Sequence, residues 1–210
     1  MVQYVTERTT GDHSLNIEIH PVNSTTLIEY STVPMRYEVE SRFRVDLLDD
    51  GLGGMVLSEE RISPAYMRDF DVLDGEGPTR WLKKFDTSNW SVFFARKDGV
   101  AVSAAMAIFR TPNVFLLGGR DDITVLWDIR VAPEHKRSGV GSALLSAVAD
   151  WAKTRGCDYL KVETQDINVP ACRFYHKQGC RLGEINRFAY TEPWAADDVM
   201  LVWYLDLRVR

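Results

Sequence analysis

The segment Lys136-Arg137-Ser138-Gly139-Val140-Gly141-Ser142 has the residue types and spacing of a ligand-binding turn. It leaves a run of strand character and opens a run of helix character. Its two glycines let the backbone turn tightly and come close to a ligand. The first helical amides, from Gly139 through Val140 and Gly141 to Ser142, have no partner inside the helix. Together with the positive end of the helix dipole they form an anion site that suits a pyrophosphate. Lys136 and Arg137 add positive charge at its rim. Three readings compete. A phosphate-binding P-loop ends in Gly-Lys-Ser/Thr, and Gly141 is followed by Ser142 with no lysine. A dinucleotide fingerprint needs a third glycine and an acidic residue ending the next strand; the third glycine is absent. The third reading is a glycine turn with no ligand.

Two carboxylates, Asp128 and Glu163, fall inside runs of strand character, where acidic residues are uncommon without a reason. Each could take a proton from an amine or hold a cation; Asp128 could equally pair with Arg130 in a purely structural role. Trp127, Tyr190 and Trp90 offer aromatic faces to a cation, and each also fits plain core. Asn168 precedes a short helix with Pro170 in its first turn, the position of an N-cap. The three cysteines, Cys157, Cys172 and Cys180, are odd in number and match no zinc spacing. They read as reduced, buried thiols. His13, His20, His135 and His176 show no ligand spacing, so no metal is expected.

The elements that position these groups become regular from Trp90. Strands are expected over 90–96, 100–110, 124–131, 159–164, 188–191 and 199–207, with a turn at Lys97-Asp98-Gly99. A helix is expected over 139–155, with Val140, Leu144, Leu145, Val148 and Ala152 on one face, and a second over 169–178. Gly156 and Gly179 close them. The order β-β-β-α-β-α-β-β is an α/β layout with a mixed sheet, parallel across the helix crossover and antiparallel elsewhere. Upstream, Tyr37 to Val45 alternates as a half-buried strand, Asp49 to Gly54 is a turn, and Met55 to Ser58 is a returning strand. Residues 61–90 read as loop and helix, punctuated by Pro64, Asp74-Gly75 and Gly77-Pro78, with a short helix over 78–85. Residues 1–60 are thus expected to be an extension packed on a main domain over 61–210.

The chain has 210 residues, 45% hydrophobic and 26% charged, with a net charge of −5. That is enough for a core without staples. The acidic balance gives no basic footprint for nucleic acid. No window approaches a membrane span, and residues 1–20 lack the apolar stretch of a signal peptide. A cytoplasmic protein is expected.

The run Ile129 to Leu145 resembles motif A of the GNAT family of N-acetyltransferases, Gln/Arg-x-x-Gly-x-Gly/Ala, opened here by Lys136. Lysine keeps the charge and loses arginine's planar fork. The run Asn168 to Cys180 resembles motif B, Asn-x-x-Ala-x-x-Phe-Tyr-x-x-x-Gly-Phe, with Cys180 in place of the phenylalanine. The likeness covers about Trp90 to Leu207. Trp127-Asp128, Val162 to Cys172, Trp81, Asn89-Trp90 and Trp203-Tyr204 resemble the streptothricin acetyltransferase branch. The resemblance implies a GNAT fold: a strongly bent mixed sheet with helices on both faces and a splayed central strand pair. It implies acetyl-CoA as co-substrate, pantetheine along the backbone of Ile129 and Val131, the pyrophosphate on residues 136–142, and a further contact from Asn168. It implies Tyr175 as the general acid. The acceptor would be a primary amine of a small cationic molecule such as a streptothricin-like antibiotic, attacking directly in a ternary complex, with Asp128 or Glu163 as base and both carboxylates, Trp127 and Tyr190 in the acceptor pocket. Antibiotic resistance would then be the role. A protein lysine or N-terminal amine as acceptor, and a non-catalytic CoA-binding module, are the alternatives. A homodimer is compatible with this reading.

Overall fold

A computed structural model describes residues 6–10, 13–73 and 77–208, with backbone alone for 6–10, 13 and 14. The Asp74-Gly75 turn lies outside the described residues. In chain order the elements are β1 (Thr6–Thr10), β2 (His13–Pro21), α1 (Ser24–Tyr30), β3 (Arg36–Leu47), β4 (Met55–Asp69), α2 (Trp81–Lys84), β5 (Trp90–Lys97), β6 (Val100–Phe109), β7 (Ile123–Val131), α3 (Val140–Thr154), β8 (Tyr159–Gln165), α4 (Val169–Lys177), β9 (Arg181–Asn186) and β10 (Met200–Asp206). The fold is α/β with a mixed sheet. Contacts divide the chain into two compact units, one of residues 1–35, 70–162 and 206–210, the other of 36–69 and 163–205.

In the first unit the strand order is β1-β2-β5-β6-β7-β8. Every neighbouring pair is antiparallel except β7 with β8, which is parallel. A parallel return needs a crossover, and α3 supplies it. Its buried stripe runs through Val140, Leu144, Leu145, Val148 and Ala152, as the spacing predicts, with Ala149 and Trp151 beside it. The β5–β6 hairpin turns through Asp98 and Gly99, both at positive φ, the pattern that matches strand twist. Adjacent residues of a strand point to opposite faces. Phe93 meets Trp151 of α3 at 6.0 Å, and Phe94 meets Tyr30 of α1 at 6.4 Å. Helices therefore cover both faces of β5.

The second unit takes the end of β8 in the order β8-β10-β9. Separately, β3 and β4 pair as a two-stranded antiparallel ribbon. Two expectations are corrected here. Residues 61–69, read as loop and helix on account of Pro64, continue β4, which passes the proline with a cis Ser63–Pro64 peptide and a break in register. The strand expected over 188–191 lies instead at Arg181–Asn186. That stretch, with Gly183 and three charged or amide residues, has little strand propensity; pairing with β10 overrides it. Thr6–Thr10 and His13–Pro21 form two further strands, the second carrying Leu15, Ile17 and Ile19 in alternation with Asn16 and Glu18. Among the described residues no helix is long and apolar enough to cross a membrane.

Candidate active site

The end of β7 builds the first half of the site. Its parallel ladder with β8 runs from Ile123↔Tyr159 to Leu126↔Val162, while its pairing with β6 continues to Val131. Partners in an antiparallel pair alternate between hydrogen-bonded and non-bonded. The amide of Ala132 donates to the carbonyl of Val102 at 3.0 Å. Counting back by two, Arg130 is the next residue bonded to β6, so the amides and carbonyls of Ile129 and Val131 point away from β6. They lie past the end of the β8 ladder.

The register with β6 steps from Met106↔Asp128 to Ala107↔Leu126, which leaves Trp127 as the extra residue of a β-bulge. A bulge re-aims side chains, and here Trp127 joins Asp128 and Arg130 on the α1 face. Trp127 packs against Trp81 at 6.4 Å, Phe85 at 5.5 Å and Trp90 at 5.8 Å. Trp81 is 5.8 Å from Tyr30, over which Arg130 sits at 4.9 Å. Trp90 is core, its indole donating to Thr111 at 2.9 Å; Trp127 remains half-buried. Arg130 is clamped by Asp128 at 2.8 Å, Asp71 at 3.1 Å and the carbonyl of Val33 at 3.0 Å. Burial opposes its charge, but these carboxylates raise its pKa on balance. Asp128 thus has the ion pair with Arg130, through Oδ2. Its Oδ1 and the Tyr30 hydroxyl are both buried with no hydrogen-bond partner among the described residues. Burial and the nearby Asp128 charge push the Tyr30 hydroxyl well up.

After β7, a 3-10 turn at Pro133–His135 leads into Lys136, and Arg137 and Gly139 take positive φ of 64° and 88°. The Ser138 hydroxyl donates to the His135 carbonyl at 2.6 Å. Gly139 is the N-cap of α3, and it supplies no capping side chain; no acidic residue lies in the first turn. The first intrahelical bond runs from Ala143 to Gly139. The amides of Val140, Gly141 and Ser142 precede it, as an anion site needs. Lys136, Arg137, Ser138 and Gly139 are exposed, Gly141 and Ser142 half-buried, and Val140 buried.

The second unit carries the other candidates. Glu163 on β8 is half-buried and accepts a very short hydrogen bond from the Tyr190 hydroxyl. Burial pushes its carboxyl up to about 7, with the Tyr190 bond acting against the shift and the Asp198 charge adding to it. Burial pushes Asp198 up to about 6 despite its 3.2 Å contact with Arg68. The Tyr190 hydroxyl is pushed far up, by burial first and Glu163 second. Asn168 is the expected N-cap of α4: its Oδ1 accepts from the Ala171 amide at 3.2 Å. Its Nδ2 donates to no partner among the described residues. Tyr175 lies on the inner face of α4, 3% exposed, its ring 5.2 Å from Phe174.

Sequence reasoning missed Tyr30, Asp71, Arg68 and Asp198. Only Asp128-x-Arg130 hinted at its pair, since strand residues two apart share a face; the others meet their partners across long stretches of chain. All three cysteines are buried and free, and burial pushes the Cys172 and Cys180 thiols up to about 11.

The model of the acetyltransferase (GNAT) family matches residues 59–180. Streptothricin acetyltransferase A of Bacillus subtilis (strain 168) is 30% identical over 131 residues, 59% of this chain and 72% of that protein. Streptothricin acetyltransferase of Streptomyces lavendulae is 40% identical over 137 residues, 65% of this chain and 67% of that protein. A Bacillus anthracis str. Ames protein crystallised in complex with acetyl coenzyme A has a like fold, with a TM-score of 0.67 at 21% identity, over 90% of this chain and 99% of that one. The chain belongs to the GNAT family of acetyltransferases, is an acyltransferase, and is similar to the streptothricin acetyltransferases within that family.

Proposed function

We propose that this chain moves an acetyl group from acetyl-CoA to a primary amine of a small cationic molecule of streptothricin type, by direct attack in a ternary complex. The observation that carries the donor half is the β7–α3 turn. A left-handed glycine leads into a helix whose first turn no side chain caps and no carboxylate occupies. Its amides suit the pyrophosphate, while Ile129 and Val131 offer outward-pointing strand amides for pantetheine. The amide of Ile129 would polarise the thioester carbonyl. Lys136 and Arg137 would neutralise phosphate charge at the rim.

The amine attacks the acetyl carbon, the new C–N bond forms and the C–S bond breaks. Glu163 takes the proton that the amine loses, and Tyr175 gives a proton to the departing thiolate. Asn168 adds a donor to the pantetheine. Asp128, held by Arg130, serves with Trp127 to bind positive charge on the acceptor, and the Tyr190 hydroxyl holds Glu163. The step needs no metal and no acyl-enzyme. Buried thiols held near 11 at Cys172 and Cys180 are poor thiolate sources, which supports direct transfer.

The test is an amine panel of streptothricin, polyamines and peptides, followed by free-thiol release from acetyl-CoA. Streptothricin is expected to release thiol fastest. Release with peptides alone would replace the acceptor by a protein amine. Binding of CoA without release for any amine would replace the enzyme reading with a CoA-binding module. Gly139→Ala is a second check. A side chain at that φ costs about 1–2 kcal/mol, so the turn shifts. Affinity for acetyl-CoA, measured by calorimetry, is expected to fall by about tenfold, as 1.4 kcal/mol implies. An unchanged affinity would move the pyrophosphate elsewhere.

A further inference from the structure

We propose that Arg42, on the β3–β4 ribbon, is a positioning residue for the donor: it fixes the β8–α4 turn that carries Asn168. The inference rests on the acetyl-CoA reading above and concerns contacts inside the second unit alone.

Asp166 is wholly buried, in the turn two residues before Asn168. Its Oδ2 accepts from Arg42 through Nε at 2.8 Å and through the terminal nitrogen at 2.6 Å. Its Oδ1 accepts from the Val199 amide at 2.7 Å. Its own amide donates to the Val199 carbonyl at 2.9 Å, and its carbonyl accepts from the Phe43 amide at 3.0 Å. Arg42 reaches on to the Asp197 carbonyl at 2.7 Å. A buried carboxylate is tolerated only when its charge is paired and its lone pairs are filled. Arg42 is the cation that pairs with Asp166 there.

The ribbon also grips either side of Asn168. The Tyr37 hydroxyl donates to the Gln165 side chain at 3.2 Å, and the Gln165 backbone carbonyl accepts from the Asn168 backbone amide at 2.9 Å. Beyond Asn168, Arg173 of α4 makes a very short ion pair with Glu59 of β4, which also accepts from Ser41 at 2.7 Å. Contacts from one ribbon to three residues, 165, 166 and 173, bracket Asn168. Its Oδ1 is committed to capping α4, so only the Nδ2 donor can serve a ligand, and its direction is set by the turn. An error of about 1 Å in such a donor is costly.

The sequence read alone gives Arg42 an outward place, alternating with Ser41 and Phe43. The register shift between Val39 and Ser41 coincides with its turn inward.

The test measures CoA affinity by titration calorimetry on the full chain, without an acceptor. Arg42→Gln is expected to weaken CoA binding by about tenfold or more, the scale of effect that a donor misplaced by about 1 Å produces. Arg42→Lys, which keeps the charge without the fork, is expected to recover part of that loss. In steady state with streptothricin, KM for acetyl-CoA should rise while KM for the acceptor holds within about twofold. If Arg42→Gln does not fold, Tyr37→Phe removes only the outer hydrogen bond and is expected to weaken CoA binding by about two- to fivefold. Variants that lose thermal stability yet bind CoA as the unmutated chain does would overturn the inference and leave the acetyltransferase reading standing. An unmutated chain that binds no CoA would remove the donor reading first, and this inference with it.

Discussion

Glu163→Gln is expected to lower kcat/KM for the acceptor by about 10²- to 10⁴-fold at neutral pH, the range for loss of a positioned base. The carboxyl is pushed up to about 7 by burial, so near pH 7 about half of the chain carries the ready base, and the group is basic enough to pull a proton from an amine. Below that pH the rate should fall as Glu163 protonates, in addition to the fall from protonation of the amine itself. In Glu163→Gln the amine's contribution stays and the inflection near 7 goes. A loss smaller than about tenfold would pass the base role to Asp128, and an inflection near 7 that survives the substitution would show that it does not come from Glu163. Stability gives a second signature with a definite sign. The folded-state pKa lies above the ordinary value of 4.5, so the native chain binds more protons than the unfolded one between about 4.5 and 7. Stability then falls as pH rises through that window. Glu163→Gln should flatten that stretch of the stability curve, read by denaturant unfolding at several pH values.

The two carboxylates that look alike in the sequence differ because of what surrounds them. Asp128 shares its strand face with Arg130, and that cation has Asp71 and Val33 as further anchors. Glu163 has no cation partner among the described residues; its partner is a tyrosine hydroxyl, and the nearby Asp198 charge works against ionisation. A carboxylate beside a guanidinium suits a receptor for positive charge. One that is poorly solvated and unpaired suits proton transfer.

The parts of the fold governed by short-range rules were legible. The stripe of α3, the hairpin at Asp98-Gly99, the caps at Gly156 and Gly179 and the N-cap at Asn168 all follow from local spacing and backbone preference. The parts governed by distant partners were not. β9 is a strand because β10 offers it a ladder, and β4 runs past Pro64 because β3 lies alongside. The bulge at Trp127 has no glycine or proline to mark it, yet it turns an ordinary alternation into a joint display of Trp127 and Asp128. The Arg42–Asp166 pair spans 124 positions of sequence, and only the folded chain brings it together.

Tyr175→Phe is expected to lower kcat by about a hundredfold, the low end of the range for general acid catalysis. The low end follows from the leaving group. A thiol is far more acidic than an alcohol, about 8.5 in cysteine, so its thiolate is a tolerable leaving group even without a proton, whereas a tyrosine hydroxyl, about 10 in peptides, is matched closely enough to help. Phenylalanine keeps the ring that packs 5.2 Å from Phe174 on the buried face of α4, so KM for acetyl-CoA should stay within about threefold if the hydroxyl acts only as the C–S bond breaks. Rapid-quench measurement of the first turnover separates this from product release: the loss must appear in the chemical step itself. An unchanged first turnover would leave Tyr175 as a packing residue and the thiolate to depart unaided. A loss confined to KM would instead make its hydroxyl a donor to bound acetyl-CoA before reaction.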